Sequence, residues 1–362
     1  MIQADKRSIT NFDWILFLCI GLLTGIGLFT LHSIVGNSVL FYKQILWNVI
    51  GFFIFFICLS IPSREWKSYS NFIYIVTILL LILVLVVGIE ERGAKRWIGL
   101  EFINIQPAEF ARLGLIFMLA HFFHEHPQSG PYSARNLLFP FLLSLLPILL
   151  VAKEPDLSTA SLLALISLGM IMVAGVKKKL ILKGFIILVL ISPLLWMSLR
   201  GYQKHRLVAF LNPHSSATKY GYHIIQSEIA IGSGGILGKG IKSATQSKFH
   251  FLPEEHTDFV FSVFAEQRGF VGCFILIFLY ASIVWRGLYV VQKARWRFEK
   301  FTAVGIVIMF AVSVILNISM TMGLFPVAGI SLPLMSYGGS STILNFAALG
   351  ILVGMGMRTY ER

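Results

Sequence analysis

Ten apolar runs, each about long enough to cross a bilayer, constrain this chain more than any other feature. A membrane-crossing helix needs about twenty mostly apolar residues. On that ruler, spans are predicted at Trp14–Ser33, Tyr42–Ile61, Phe72–Ile89, Ala108–Phe123, Leu137–Ala152, Thr159–Val176, Ile181–Leu199, Phe259–Val284, Phe301–Leu324 and Ser341–Met357. Backbone polar groups find no water in hydrocarbon, so open sheets are excluded there. The expected fold is an all-α polytopic membrane protein of about ten transmembrane helices. One large polar loop, 200–257, separates the seventh from the eighth. Composition agrees: 56% of residues are hydrophobic and only 13% charged, where a soluble domain carries roughly a quarter. The chain, 1–362, reads as a single membrane domain.

Charge sets the expected orientation. One set of short loops holds Arg64, Lys67, Arg135, Lys177, Lys178, Lys179, Arg286, Lys293, Arg295 and Arg297, with Lys6, Arg7, Arg358 and Arg362 near the ends. The opposite short loops hold only Lys43, Arg92, Lys95, Arg96 and Lys153. The Lys/Arg bias places the first set and both termini in the cytoplasm, and loop 200–257 outside. The net charge of +13 fits this bias and attraction to anionic lipid. No nucleic-acid partner is expected, because no basic module stands apart from the spans. Cys19, Cys58 and Cys273 lie inside apolar runs, so they read as small packing residues rather than a disulfide framework or a zinc site. Lys6 and Arg7 precede the first run as in a signal peptide, but no small-residue cleavage site follows, so a retained span is expected.

Polar, Gly- and Pro-punctuated sequence is concentrated on the outer side. The most informative stretch is FLPEEHTDFVF (251–261), which sets Glu254, Glu255, His256, Thr257 and Asp258 at the mouth of a span. Ionisable groups at membrane depth cost about 2.5–3.5 kcal/mol each on insertion scales and are usually kept for function. Glu254 and Glu255 read as loop residues, and Glu266 with Arg268 as a helix-internal pair. Glu109 and Arg112, three apart at a helix start, can pair on one face. That pair suits either a structural tie or support of a reacting group, and Pro107 fits the first turn of its helix. Lys95 and Arg96 beside Trp97 suit either an interfacial anchor or a clamp on a lipid-linked phosphate. Ser336, Tyr337, Gly338, Gly339 and Ser340 lie in a Gly- and Pro-rich segment, 323–341. Irregular backbone at that depth must be buried in protein or line a cavity, so these residues are expected to share a cavity with Asp258.

Three patterns are set aside. Ser233–Gly240 fails the phosphate-loop pattern, since Ser233 and Gly240 hold its first and last fixed positions. A flexible turn is expected there, with backbone N–H groups free to meet an anion, after an interfacial amphipathic helix over Tyr222–Ile231. Ser216–Lys219 matches S-x-x-K without the accompanying motifs. His121, His124 and His126 with Glu125 read as solvated residues at the inner end of a span.

Taken together, RGAKRWI (92–98), QPAEFARL (106–113), EPDLSTA (154–160), FLNP (210–213), GYHIIQSEIAIGSGGILGKG (221–240), FLPEEHTDFVF (251–261) and GLFPVAGISLPLMSYGGSS (323–341) resemble the SEDS family (shape, elongation, division and sporulation). The motifs fall in order over most of the chain. EPDL with an initial Glu, and short cytoplasmic tails, resemble the elongation branch more than the division branch. Ser158 stands where the family commonly has Gly, and KSATQSKFHF (242–251) departs from its usual approach to FLPE.

The resemblance implies a peptidoglycan glycosyltransferase of the cytoplasmic (inner) membrane that polymerises lipid II on the outer face. It also implies a class B penicillin-binding protein as partner, docking at the outer ends of the eighth and ninth spans, and other elongation-machinery membrane proteins. The family's essential Asp falls on Asp258, its functional Trp on Trp97, and the carboxylate of its P-[SA]-E motif on Glu109. Arg112 stands where Lys is common, which keeps the charge but cannot act as a neutral base. Glu154 and Asp156 of EPDL join the set as support. Polymerisation requires a base for a sugar hydroxyl and charge for a departing lipid pyrophosphate. Asp258 is the candidate base, or alternatively the ligand of a divalent cation such as Mg2+ or Mn2+. Among the outer cations Lys95, Arg96, Arg200, Lys204 and Arg206, Arg96 and Arg206 are expected at the pyrophosphate. A flippase of the same precursor and a non-enzymatic scaffold are the alternatives.

Overall fold

A computed structural model describes residues 11–91, 94–100, 103–199, 201–213, 219–244, 251–252 and 254–358. Lys6, Arg7, Arg92, Arg200, Arg362, Ser216 and most of 242–251 lie outside the described residues.

All ten predicted spans form helices: α1 (Trp14–Val35), α2 (Val39–Ser60), α3 (Ser63–Val87), α4 (Pro107–Glu125), α5 (Ala134–Lys153), α6 (Leu157–Ala174), α7 (Lys178–Ser198), α10 (Val260–Lys293), α11 (Arg297–Thr321) and α12 (Gly339–Arg358). Two more, α8 (Gly201–Leu211) and α9 (Lys219–Ser233), lie in the large loop. By length and apolar content, eight are able to cross a membrane. The helix α4 is outside that set for a physical reason. It carries Glu109, Arg112 and Glu125, yet most of its residues are buried. Protein rather than lipid surrounds it, so its charges need not face hydrocarbon.

The packing is layered by burial. α4, α11 and α12 form the interior, while α2, α3 and α5 turn long rows of exposed Phe, Leu, Ile and Val outward. Lipid is as apolar as these side chains, so association depends on close fit rather than on escape from water. Gly350 and Gly354, a small-x-x-x-small pair on α12, meet the α2 backbone at Phe55 and Leu59, where a Cβ would fall 2.4 and 2.7 Å from carbonyl oxygens.

One end of the bundle is tied by basic side chains. Arg286 of α10 pairs with Asp13 at 2.7 Å, and Lys67 of α3 with Glu125 at 2.7 Å. Arg358 donates to the carbonyls of Leu59, Ser60 and Ile61. This basic face carries the start of α1 and the end of α12, as expected. The opposite face carries α8, α9, the segment 323–338 and a three-stranded antiparallel sheet absent from the sequence reading. Its strands are β1 (Ile89–Glu91), β2 (Ala94–Leu100) and β3 (Ile103–Ile105).

The helix α10 is broken at Gly269, whose φ of 64° and ψ of −163° belong to a region open only to glycine. The break releases backbone groups that hydrocarbon cannot satisfy. The loop Ser233–Gly240 satisfies them: Phe270 and Val271 N–H donate to the Gly235 and Ile236 carbonyls at 2.8 and 3.0 Å. Lys239 and Gly240 N–H donate to the Glu266 and Gln267 carbonyls at 2.9 and 3.1 Å. The expected flexible turn with free N–H groups is therefore corrected to a docked loop. The expected Glu266–Arg268 pair is also corrected, because residues two apart do not share a helix face. Buried Glu266 meets Lys239 at 3.6 Å, and Arg268 lies over the Phe29 ring.

Substituting Gly269→Ala should lower stability by about 1–3 kcal/mol from backbone strain alone, with an added clash at Gly238 N, 2.3 Å from the new Cβ. Gly21→Ala on α1 meets nothing within 4 Å and should leave the unfolding midpoint in detergent unchanged or slightly raised. Equal midpoints for the two variants would contradict the docking described.

Candidate functional site

The turn that presents Asp258 is wound around one carbonyl. Glu254 adopts a left-handed φ of 55°, and its carbonyl accepts from the N–H groups of Thr257, Asp258 and Phe259 at 3.1, 3.0 and 3.4 Å. The turn ends where α10 begins, so the half-buried Asp258 stands at the helix mouth. Asn317 of α11 holds it from behind, with its Nδ2 donating to the Asp258 carbonyl at 3.1 Å and to the Ile330 carbonyl at 2.7 Å.

The irregular segment before α12 lies against this turn. Ser336 Oγ donates to the Thr257 carbonyl at 2.5 Å and accepts from Leu332 N–H at 2.8 Å. Tyr337 N–H donates to the His256 carbonyl at 2.9 Å, and the two rings meet edge-on. Gly338 N–H donates to Gln44 Oε1 at 3.1 Å. Gly339 leaves room for Trp47, 2.6 Å from where a Cβ would sit. Ser340 Oγ accepts from Gln106 N–H at 3.1 Å, and Gln106 Nε2 donates to Asp156 Oδ2 at 3.2 Å. Asp156 also caps α6, accepting from the Thr159 N–H and hydroxyl. Of residues 336–340, expected to share a cavity with Asp258, Ser336 and Tyr337 brace its turn, while Gly338 and Ser340 bond to Gln44 and Gln106.

Three of those braces, Gln44, Gln106 and Asn317, were missed as site residues. Gln44 and Asn317 are buried amides inside apolar spans, and that costly placement was the available signal.

The cations separate. β2 bulges at Arg96, the extra residue between Lys95, opposite Glu90, and Trp97, opposite Ile89. Lys95 is exposed and Arg96 half-buried, and of the two only Arg96 lines the cavity of Arg206. The expected Lys95–Arg96 clamp is therefore corrected to a single arginine. Arg96 donates to the carbonyls of Glu154 and Pro155. It lines an open cavity of about 220 Å³ with Arg206 and Gln203 of α8, Ser158 and Ser161 of α6, and residues 325–328. The next residue, Gly329, has its missing Cβ position 3.3 Å from Asp258 Oδ2. One short segment thus connects the two-arginine cavity to the Asp258 carboxylate.

Two acidic features lie beside this frame. Glu109 and Arg112 form a buried pair at 2.6 Å on the first turns of α4. Glu154, in the loop between α5 and α6, is 1% exposed, and neither carboxyl oxygen has a hydrogen bond among the described residues. Burial pushes its carboxyl up to about 8; Asp156 adds to the rise and Arg96 opposes it. No group of three or more His, Cys, Asp or Glu placed to hold a metal occurs among the described residues. A cation here would take Asp258 and complete its shell with phosphate oxygens, a donor set that magnesium commonly uses. α9 is packed rather than merely interfacial. His223, Ile224, Ser227 and Ala230 are buried, while Tyr222 and Ile229 face out.

Comparison with known proteins agrees with this architecture. The family model FtsW/RodA/SpoVE, described as cell cycle protein, matches residues 9–361. A peptidoglycan glycosyltransferase MrdB of Escherichia coli is 40% identical over 306 residues, 84% of this chain and 82% of that protein. A chain from a peptidoglycan synthase complex superposes with a TM-score of 0.84 at 30% identity, covering 97% of this chain and 99% of that one. The rod shape determining protein RodA of Thermus thermophilus superposes with a TM-score of 0.74 at 28% identity, covering 97% and 98%. With nearly its whole length matched, the chain belongs to the FtsW/RodA/SpoVE family, the SEDS proteins.

Proposed function

We propose that this protein is a peptidoglycan glycosyltransferase of the cell-elongation type, polymerising lipid II on the outer face of the cytoplasmic membrane. The basic face then lies in the cytoplasm, in keeping with the Lys/Arg bias. The observation that carries the reading is the segment 325–329, which lines the cavity of Arg96 and Arg206 and then abuts Asp258. Successive Cα atoms are about 3.8 Å apart, so the carboxylate abuts the chain one residue beyond the wall of the two-arginine cavity.

A base and a phosphate clamp so arranged suit transfer between lipid-linked sugars. Asp258 takes the proton of the acceptor sugar hydroxyl as that oxygen attacks the anomeric carbon of the donor. The bond to the lipid pyrophosphate breaks on the opposite side, with inversion and no covalent sugar intermediate. Arg96 and Arg206 stabilise the charge on the departing pyrophosphate, stronger in a site shielded from water. The backbone bonds from Ser336, Tyr337 and Asn317 hold the turn so that little reorganisation accompanies the reaction. Asp258 would alternatively hold Mg2+ or Mn2+, which would supply charge neutralisation at the pyrophosphate. Glu109, Arg112, Glu154 and Asp156 support the frame rather than meeting the reacting atoms. A class B penicillin-binding protein and other elongation-machinery membrane proteins are the proposed partners. Relatives named for glycosyl transfer favour this reading over a flippase or a scaffold.

Purified protein supplied with lipid II, divalent metal and the partner should make glycan strands. Asp258→Ala should reduce the rate by about 10²–10⁴, and Arg206→Ala by roughly ten- to a hundredfold. No strands from the wild type under those conditions, or a glycosyl adduct trapped on Asp258, would overturn the reading.

Glu154 gives a separate expectation in pH. Its folded carboxyl holds a proton more tightly than an unfolded one, whose pKa is about 4.3. The stability it contributes is complete below that value and is lost as pH rises through about 8. The unfolding midpoint in detergent should fall by about 2 °C or more across this window. Glu154→Gln, neutral throughout, should flatten the fall; an unchanged slope would contradict a buried neutral carboxyl.

A further inference from the structure

At the basic end of the bundle, away from Asp258, lies an open cavity of about 450 Å³. Its polar lining is His126, Gln128, Arg135 and Asn136, and its aromatic walls are Phe122, Tyr132 and Phe139. Three connections converge on it. Tyr132, between α4 and α5, donates its N–H to Gly175 between α6 and α7 at 2.8 Å, and bridges to Val176. Lys177, Lys178 and Lys179 follow that bridge directly. The Tyr132 hydroxyl donates to the His126 carbonyl at 2.6 Å, with the positive charge of Arg297, at the start of α11, close to it. Arg297 in turn donates to the Phe123 carbonyl.

The electrostatics have one sign. No acidic residue lines the cavity, and none occupies the first turn of α5. Glu125, nearby in sequence, is paired with Lys67. Arg135 and Asn136 stand in that first turn, and Ser133 at the cap position makes no side-chain bond to it. The positive end of α5 and its first N–H groups therefore border the opening, the arrangement that accepts phosphate at helix starts. Phe139 is 54% exposed on a face that otherwise turns apolar residues outward, so the cavity opens where headgroups meet hydrocarbon.

We propose that this cavity binds the phosphodiester headgroup of an anionic membrane lipid. Arg135, His126 and the first turn of α5 hold its oxygens, and Phe122 and Phe139 flank its glycerol and chains. Basic pockets between helices on a cytoplasmic side bind such lipids by this chemistry. The site requires the membrane placement but not the polymerase activity. A free phosphate ion offers the same oxygens without the apolar part, so the two sources separate by experiment.

Full-length protein, delipidated in detergent, would be titrated with phosphatidylglycerol, phosphatidylcholine or inorganic phosphate, with bound species counted by native mass spectrometry. Phosphatidylglycerol should bind about tenfold or more tightly than phosphatidylcholine, in line with a charge-assisted contact. Arg135→Glu should remove most of that preference, and Arg135→Lys should keep part of it. The Arg135 side chain is exposed, so both variants should unfold at the wild-type midpoint in phosphatidylcholine, which separates loss of the site from loss of the fold. An undiminished preference in Arg135→Glu would overturn the proposal. Inorganic phosphate displacing phosphatidylglycerol at equal concentration would overturn the lipid as its source.

Discussion

Hydrocarbon offers no partner to a backbone N–H or carbonyl, and the described irregular segments inside the bundle are arranged around that fact. Where a helix stops or breaks inside the bundle, another segment supplies the missing bonds. Gly269 interrupts α10 and the loop 233–240 completes it. The turn before α10 and the segment before α12 complete each other through Ser336, Tyr337 and Asn317. Polar residues at depth are thus used first as backbone partners, and the Asp258 turn is held by them.

The same constraint explains why the reactive groups are few and the braces many. Arg96 and Arg206 line one cavity and Asp258 abuts the segment that leaves it, while Ser340, Gln106 and Asp156 extend a hydrogen-bonded chain from the start of α12 to the start of α6. α4 joins this chain at Gln106 and places Glu109 and Arg112 immediately below it. Because that helix is enclosed by protein, its ion pair is buried without facing lipid. The two ends of the bundle carry different chemistry. One has a carboxylate beside two arginines, and the other has a cationic cavity bordered by a helix start.

The spans were legible because an apolar run of bilayer length has few alternatives. The carboxylate turn was legible because FLPEEHTDFVF sets acidic residues at a membrane boundary, and the resemblance singled out Asp258 among them. The split of Lys95 from Arg96 was not visible, because three short strands in a polar loop give little periodicity. The docking of Ser233–Gly240 was hidden because its partner, the break at Gly269, is a single residue inside a run that otherwise reads as one helix. Glu154 read as part of a motif, and only its burial beside Asp156 gave it a shifted carboxyl.

The sequence by itself determined that the chain is a multi-pass helical membrane protein, which short loops are basic, and which motifs relate it to its family. These follow from local composition and order. The tertiary structure decided what each polar group meets: Arg96 the Glu154 and Pro155 carbonyls, Glu266 the Lys239 ammonium, Asn317 the Asp258 carbonyl. Such pairings join residues far apart in the chain, and they are fixed by packing geometry and by the need to satisfy each buried polar atom, neither of which is written in any one stretch of sequence.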